Sequence, residues 1–522
     1  MKRQFVEGKC VHNGNTPSTA PEGKMSKSGD VGVQNTLAEP NSSDLMDGGV
    51  HLVKVECLGT EANNGKGNVP RALSLFELIR AIRPIASIHF NYCIDPQWVL
   101  RWREGFCQPF FDFRQYSRRL RECPIAFVVG HQQLQALRSA VPSAFAASVR
   151  CAGVPMPFAY GTHHAKLSLF EANDRALHVV ISTANLVEED WTAKTQAFYH
   201  ARGKLDTDDV ERGAGTASTS VADDADATTS SAPLQRFRDD LVAYLRAAYP
   251  AGAGEVHQIV QFWVDRIGQA DFSHIPDRIV ASVPGRYQKS PAGAMCRFGH
   301  LRLRQLLSEA FSAEERGRHH KTFVGQFSSI GSLGARAEAW LCDEFLTSLS
   351  GGKSMLSASA LKLIYPTVEN VRDSLEGYAA GLSLPYSSQT HRKQPYLKQF
   401  LHQWKCERFK RHAASPHVKS YVALDSAGQC QWLLLTSANL SHSAWGKLEK
   451  GGTQMFVRSF ELGVLMCAKD HQRRALFPPF DLPLTKYAAD DEPFLVDMLY
   501  TTKPTDANGF RGAMDARAAL TG

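Results

Sequence analysis

The chain has 522 residues, 43% of them hydrophobic and 21% charged, the proportions of an ordinary globular protein with room for two to four domains. Collagen-like, wholly disordered and membrane-spanning architectures are excluded, the last because no apolar run approaches the ~20 residues needed to cross a bilayer. With 59 basic against 52 acidic side chains, net +7, the charge permits a polyanionic partner without requiring one.

The Met-Lys-Arg start runs into polar residues rather than an apolar signal core, which predicts a protein that stays on the synthesis side of membranes. The eleven cysteines are scattered and contain no Cys-x-x-Cys pair, so they read as reduced thiols and no metal site is expected. Residues 1–70 are rich in Gly, Asn, Ser and Pro, lack an apolar period, and predict a disordered tail. A second such stretch, 204–232, is acidic and without aromatics, and predicts a disordered insertion.

Between and after these lie short apolar runs, IAFVV (125–129), HVVIST (178–183) and WLLLTS (432–437), too short for helices and suited to buried strands. Helical spacing predicts helices over 234–249 and 396–412, the second placing Leu397, Phe400, Leu401 and Trp404 on one face and leaving Lys398, Lys405, Arg408 and Lys410 for a solvated or phosphate-facing side. Strands mixed with helices imply α/β layers.

One motif occurs twice. His164, Lys166 and Asn185 are followed by Trp191, and His417, Lys419 and Asn439 by Trp445; the spacings are 2, 19 and 6 residues against 2, 20 and 6. Repetition at this many positions implies duplicated structural units. On a strand, residues i and i+2 face the same way, so each copy presents an imidazole and an ammonium to one point, with an amide from the end of the next apolar run. Two copies about a pseudo-twofold axis would surround one cleft with two His, two Lys and two Asn.

That set suits a phosphodiester. Two ammoniums and two amides stabilise the charge on the phosphoryl oxygens without calling for a metal ion. One His can attack phosphorus while the other moves protons to and from the leaving oxygen and water. His163 points to the opposite face and reads as structural, as do Trp191 and Trp445. GGKS at 351–354 is not a phosphate-binding loop, because Thr347 stands where the first glycine is needed.

With FNYC (90–93), YGTHHAK (160–166), TANLVEEDW (183–191), KTQ (194–196), PGRYQ (284–288), QFSSIGSLG (326–334), LIYPTVENVRDSLEGY (363–378), TSANLSHSAWG (436–446) and GTQMFVRSFELGVL (452–465), residues 71–505 resemble the tyrosyl-DNA phosphodiesterase family, type one, of the phospholipase D superfamily. The resemblance implies two phospholipase D-like α/β domains related by a pseudo-twofold axis, each a mixed, mostly parallel-type sheet flanked by helices. They would occupy 71–289 and 290–510, with a flexible tail at 511–522. It implies hydrolysis of a 3′-phosphotyrosyl bond between DNA and trapped topoisomerase I, and of other 3′ blocking groups, by a monomeric nuclear enzyme without cofactor or metal.

Carried over by motif, His164 is the nucleophile, His417 the general acid and then base, and Lys166, Lys419, Asn185 and Asn439 bind the phosphoryl oxygens. Glu461 would stand behind His164 and Gln196 behind His417, each from the other domain. Ser328, Ser329, Ser332 and Ser441 occupy positions that contact DNA phosphates, and Tyr92 and Tyr160 match aromatic positions at the cleft, Tyr160 replacing the Phe of relatives. A lipid phosphodiesterase, another nuclease of the superfamily, and an inactive DNA-end scaffold are the alternatives. The first two fit poorly because Lys166 is followed six residues on by Ala172 rather than Asp, and the third because both His-x-Lys sets are intact.

Overall fold

The computed structural model describes residues 45–65, 67, 69–104, 124–205, 235–290, 293–319, 321–352, 356–471 and 476–521. Among them are eighteen strands: β1 (Gly49–Leu52), β2 (Pro84–Phe90), β3 (Ile125–Gly130), β4 (Val149–Val154), β5 (Leu167–Ala172), β6 (Ala176–Ser182), β7 (Ala197–Leu205), β8 (Ala270–Asp271), β9 (Arg278–Ser282), β10 (Gly285–Gln288), β11 (Thr322–Gln326), β12 (Leu361–Ile364), β13 (Leu401–His402), β14 (Ser420–Leu424), β15 (Cys430–Thr436), β16 (Lys447–Glu449), β17 (Gln454–Val457) and β18 (Glu461–Cys467).

Two large sheets repeat one plan. The first runs β4-β3-β2-β5-β6-β7-β1, with β8 added to β7, and the second runs β13-β12-β11-β14-β15-β18-β9. In each, the first three strands are parallel to one another and every other pair is antiparallel. The sheets are mixed, as expected, but mostly antiparallel: short hairpin links such as β5–β6 and β14–β15 need no crossover helix. A small third sheet, β10-β17-β16, lies beside them.

Strands β3, β6, β14 and β18 are buried along their whole length, which is why they read as unbroken apolar runs rather than alternating ones. One core joins the two sheets through Leu169, Val179 and Ile181 of the first and Leu433, Leu435 and Val464 of the second. The outer faces are closed by separate cores, one including Leu78, Ile79 and Trp98 and the other Leu307, Trp340 and Phe345. The helix expected over 234–249 is present as Arg236–Ala248, with Phe237, Leu241, Tyr244 and Leu245 buried.

Four expectations are corrected. The sequence boundary near 290 falls too late, because β9 pairs with β18 and closes the second sheet as β1 closes the first; the second unit has begun by Arg278. The expected tail 1–70 is ordered from residue 45. There β1 lies against β7, and buried Arg411 donates to the Val53 and Ala62 carbonyls and to Asn63 Oδ1; residues 1–44 lie outside the described residues.

The expected flexible end 511–522 instead forms a helix, Ala513–Thr521, with Ala513 and Ala516 buried. The expected helix 396–412 is a 3₁₀ turn, Pro395–Phe400, followed by β13, which adds to β12. Its four apolar residues are all buried, but strand pairing interrupts the helix. The insertion expected over 204–232 lies outside the described residues from 206 onward. No described helix is long and apolar enough to cross a membrane.

A chain of histidines clasps the first strand. His178 Nδ1 lies 2.9 Å from His200 Nε2, His200 Nδ1 donates to the Met46 carbonyl at 3.2 Å, and the Met46 N–H donates to His51 Nε2 at 2.9 Å. Burial pushes His178 down to about 4 and His200 well below its ordinary value. Because these folded-state values are depressed, the stabilisation is complete above about pH 6.5 and is lost as the pH falls toward 4, at roughly 1.4 kcal/mol per unit of depression. Thermal unfolding at pH 7.5 and pH 5 is expected to show a lower midpoint at pH 5, and a His178→Gln/His200→Gln variant a smaller difference between the two.

Candidate active site

Each His-x-Lys segment is extended chain leading into a strand rather than part of it: 163–166 runs into β5 and 416–419 into β14. What fixes them is pairing across the two units. His163 bridges in parallel to Phe460 and Thr195 to Pro416, so His164 N–H donates to the Phe460 carbonyl (3.0 Å) and His417 N–H to the Thr195 carbonyl (3.1 Å). Glu461 and Gln196 are therefore the next residues on the strands paired to the two histidine segments. Gly161 permits the first approach, because a Cβ there would collide with the Arg458 carbonyl oxygen.

His164 Nδ1 lies 2.9 Å from Glu461 Oε2, and Ser437 Oγ donates to the same oxygen at 2.5 Å. Gln196 Nε2 lies 2.6 Å from His417 Nδ1, while its Oε1 accepts from Thr183 Oγ1 at 2.6 Å. Both supporting residues come from the opposite unit. Thr183 and Ser437 each stand two residues before a motif Asn, so the repeat itself carries the signal for them. Asp190 is a further group at His417, its Oδ2 3.1 Å from Nδ1. Its counterpart by spacing is Ala444, so the repeat gives no signal for it.

Lys166 and Lys419 are 1% and 0% exposed, and each ammonium donates to the carbonyl of the histidine two residues earlier. Burial pushes Lys166 down to about 8 and Lys419 well below its ordinary value, the latter aided by the Lys166 charge. Burial also lowers both histidines, against the opposing pull of Glu461 on His164 and of Asp190 on His417. For Glu461 and Asp190, burial works upward, but the adjoining histidines and lysines hold both carboxyls below the usual range. Among the described residues neither buried ammonium makes an ion pair, each being directed at a backbone carbonyl, an arrangement that favours an anion between them.

Asn185 and Asn439 follow the ends of β6 and β15. Asn439 Oδ1 accepts from both the N–H and the hydroxyl of Ser328 at 3.1 Å, which fixes the orientation of its amide. Ser328, expected at DNA phosphate, is 1% exposed and committed to Asn439. A Ser328→Ala variant loses one of these two bonds, worth about 1–2 kcal/mol. The expected effect is a roughly 5–30-fold fall in kcat/KM, measured by steady-state turnover, with the fold unchanged by circular dichroism.

Of the other expected contacts, Ser332 is exposed and Ser329 half-buried, its hydroxyl donating to the Pro385 carbonyl. Ser441 caps the helix His442–Trp445 through Ala444 N–H. Tyr92 packs edge-on to His164 with ring centroids 5.4 Å apart. Tyr160 is 83% exposed at a left-handed φ of 63°. His163 is held by Tyr249 Oη at 2.9 Å, and Trp191 and Trp445 are buried.

The family model of tyrosyl-DNA phosphodiesterase matches residues 53–488. A probable tyrosyl-DNA phosphodiesterase of Caenorhabditis elegans is 35% identical over 468 residues, 88% of this chain and 91% of that protein. Tyrosyl-DNA phosphodiesterase 1 of Drosophila melanogaster is 32% identical over 454 residues, 82% of this chain and 71% of that protein. The solved structure of yeast tyrosyl-DNA phosphodiesterase superposes with a TM-score of 0.58 at 17% identity, covering 85% of this chain and 99% of that one, a likeness of fold. The matched length, the identities and the duplicated site together place this chain in the tyrosyl-DNA phosphodiesterase family.

Proposed function

We infer that the protein is a DNA-repair phosphodiesterase that hydrolyses the 3′-phosphotyrosyl bond joining DNA to trapped topoisomerase I, through two displacements at phosphorus. The observation that carries this reading is the crossed pairing of the site: each histidine is braced by a residue of the other unit, His164 by Glu461 and His417 by Gln196.

In the first step His164 Nε2 attacks phosphorus. Its Nδ1–H donates to Glu461, which fixes the tautomer with a lone pair on Nε2 and offsets the positive charge that the ring gains. The P–O bond to tyrosine breaks, and His417 Nε2 gives its proton to the phenolate. In the second step His417 takes a proton from water as the oxygen attacks phosphorus. The P–N bond then breaks, releasing a 3′-phosphate and restoring His164.

Lys166, Lys419 and the Asn439 and Asn185 amides hold the phosphoryl oxygens. The phosphodiester's negative charge in turn offsets the two ammoniums that push the histidines down, so binding substrate raises His417 toward the protonated form that the first step uses. Exposed Ser332, Tyr92 and Tyr160 are left to meet the DNA strand and the attached peptide, contacts that hold phosphate and stack on bases without reading sequence. A monomer in the nucleus fits this substrate.

The test is cleavage of a single-stranded oligonucleotide bearing a 3′-phosphotyrosine, in excess chelator, beside a 5′-phosphotyrosine oligonucleotide and phosphatidylcholine. Release of a 3′-phosphate from the first substrate alone is expected, with a rate changed less than ~2-fold by the chelator, because the lysines supply the charge that a metal would supply. Lipid turnover, or no cleavage of any substrate, would contradict the reading.

A further inference from the structure

Beyond the residues that meet the phosphate, a buried line of charge leads away from His417. Asp190 Oδ1 faces Lys194 Nζ at 3.9 Å, and Lys194 donates to Glu376 Oε1 at 2.8 Å. Asp190 and Lys194 are 2% and 3% exposed; the second oxygen of Glu376 is buried with no hydrogen-bond partner among the described residues. Asp190 and Lys194 belong to the first unit and Glu376 to the second. The Glu376 turn is fastened to the loop carrying His417, since Leu375 N–H donates to the Ala413 carbonyl at 2.8 Å.

His417 Nδ1 has two neighbours with opposite demands. The Gln196 amide, oriented by Thr183, presents N–H and favours a bare Nδ1. The Asp190 carboxylate favours Nδ1–H. Only Nδ1–H leaves the lone pair on Nε2 that a base needs. Asp190 can hold this tautomer only while its charge is not taken up by Lys194, and Glu376 is the group that satisfies Lys194 instead.

We propose that Glu376 and Lys194 are positioning residues for His417: their ion pair leaves Asp190 to the imidazole and so sets its tautomer and basicity in the second displacement. This rests on the phosphodiesterase reading. The charged groups around His417 are Asp190, Lys419 and Lys166, those around Asp190 are His417 and Lys194, and Glu189 faces both Lys194 and Glu376. Neutralising Glu376 removes a negative charge and frees Lys194 to take Asp190; both effects lower the affinity of His417 for a proton.

The experiment compares wild type, Glu376→Gln and Glu376→Asp by two readouts. The first is the titration of His417 by NMR of histidine-labelled protein, assigned with His417→Asn. The second is the burst and steady-state rates on the 3′-phosphotyrosyl oligonucleotide. Glu376→Gln is expected to lower the His417 pKa by about 1 unit and to slow adduct hydrolysis about 10-fold while the burst changes less than ~2-fold, with Glu376→Asp restoring most of both. An unchanged titration, or an equal loss in both steps that Glu376→Asp does not restore, would overturn the proposal. The titration needs no substrate, so a wild-type protein that left the oligonucleotide uncut would strike the phosphodiesterase reading and leave this coupling to be decided by the pKa alone.

Discussion

A His164→Ala variant is expected to lose turnover by about 10⁴-fold or more and to form no covalent adduct with a 3′-phosphotyrosyl oligonucleotide. The reason lies in how little else at the site can attack. Lys166 and Lys419 are buried ammoniums directed at backbone carbonyls, and His417 is engaged through Nδ1 with Gln196 and Asp190. Of the two, His164 has the more open ring, 14% exposed against 9% for His417, and its Nδ1 meets a carboxylate without the competing amide that His417 has in Gln196. Single-turnover cleavage with denaturing gel analysis of the protein checks both parts. Residual adduct in the variant would show a second nucleophile.

His417→Asn is expected to behave differently. Tyrosine leaves as a phenolate whose conjugate acid has a pKa near ~10, so attack by His164 proceeds with modest help. Water attack on the adduct has no such relief and loses its base, an effect of roughly 10²–10⁴ in rate. The variant should therefore show a burst equal to the enzyme concentration followed by slow turnover, with labelled oligonucleotide held on the protein. Equal, adduct-free loss in both variants would contradict the division of labour between the two histidines.

How much of this was legible in the sequence depended on whether a feature was repeated. His164, Lys166 and Asn185 announce themselves because His417, Lys419 and Asn439 recur at almost the same spacing, and the strand topology repeats with them, β2 to β7 answering β11 to β15 and β18. The resemblance supplied Glu461 and Gln196, whose partners the cross-unit bridges at Phe460 and Thr195 explain. Asp190 stayed hidden because the second copy has Ala444 in its place. The bond from Ser328 to Asn439 was not legible, because a Ser-rich turn looks the same whether its hydroxyl faces solvent or an Asn amide, and only the position of Asn439 beyond the end of β15 reveals it.

The fold was misread where local pattern and tertiary pairing disagree. Leu397, Phe400, Leu401 and Trp404 have helical spacing, yet Leu401–His402 is taken up by β12 and the chain turns instead. Strand β1 is only four residues long and follows a long polar stretch, and its stability comes from β7 and Arg411, far along the chain. No local signal marks that pairing. Likewise PGRYQ is almost wholly strand β10 of the small sheet, not the boundary between units, because β9 already belongs to the second sheet.

The most direct measurement is to trap the His417→Asn protein on a 3′-phosphotyrosyl oligonucleotide, digest away the DNA, and map the modified residue by peptide mass spectrometry under conditions that preserve phosphohistidine. A nucleotide-derived mass on His164, absent when His164 is also replaced, is the expected result. The same mass on another residue, or cleavage without any protein-bound nucleotide, would contradict covalent catalysis by His164.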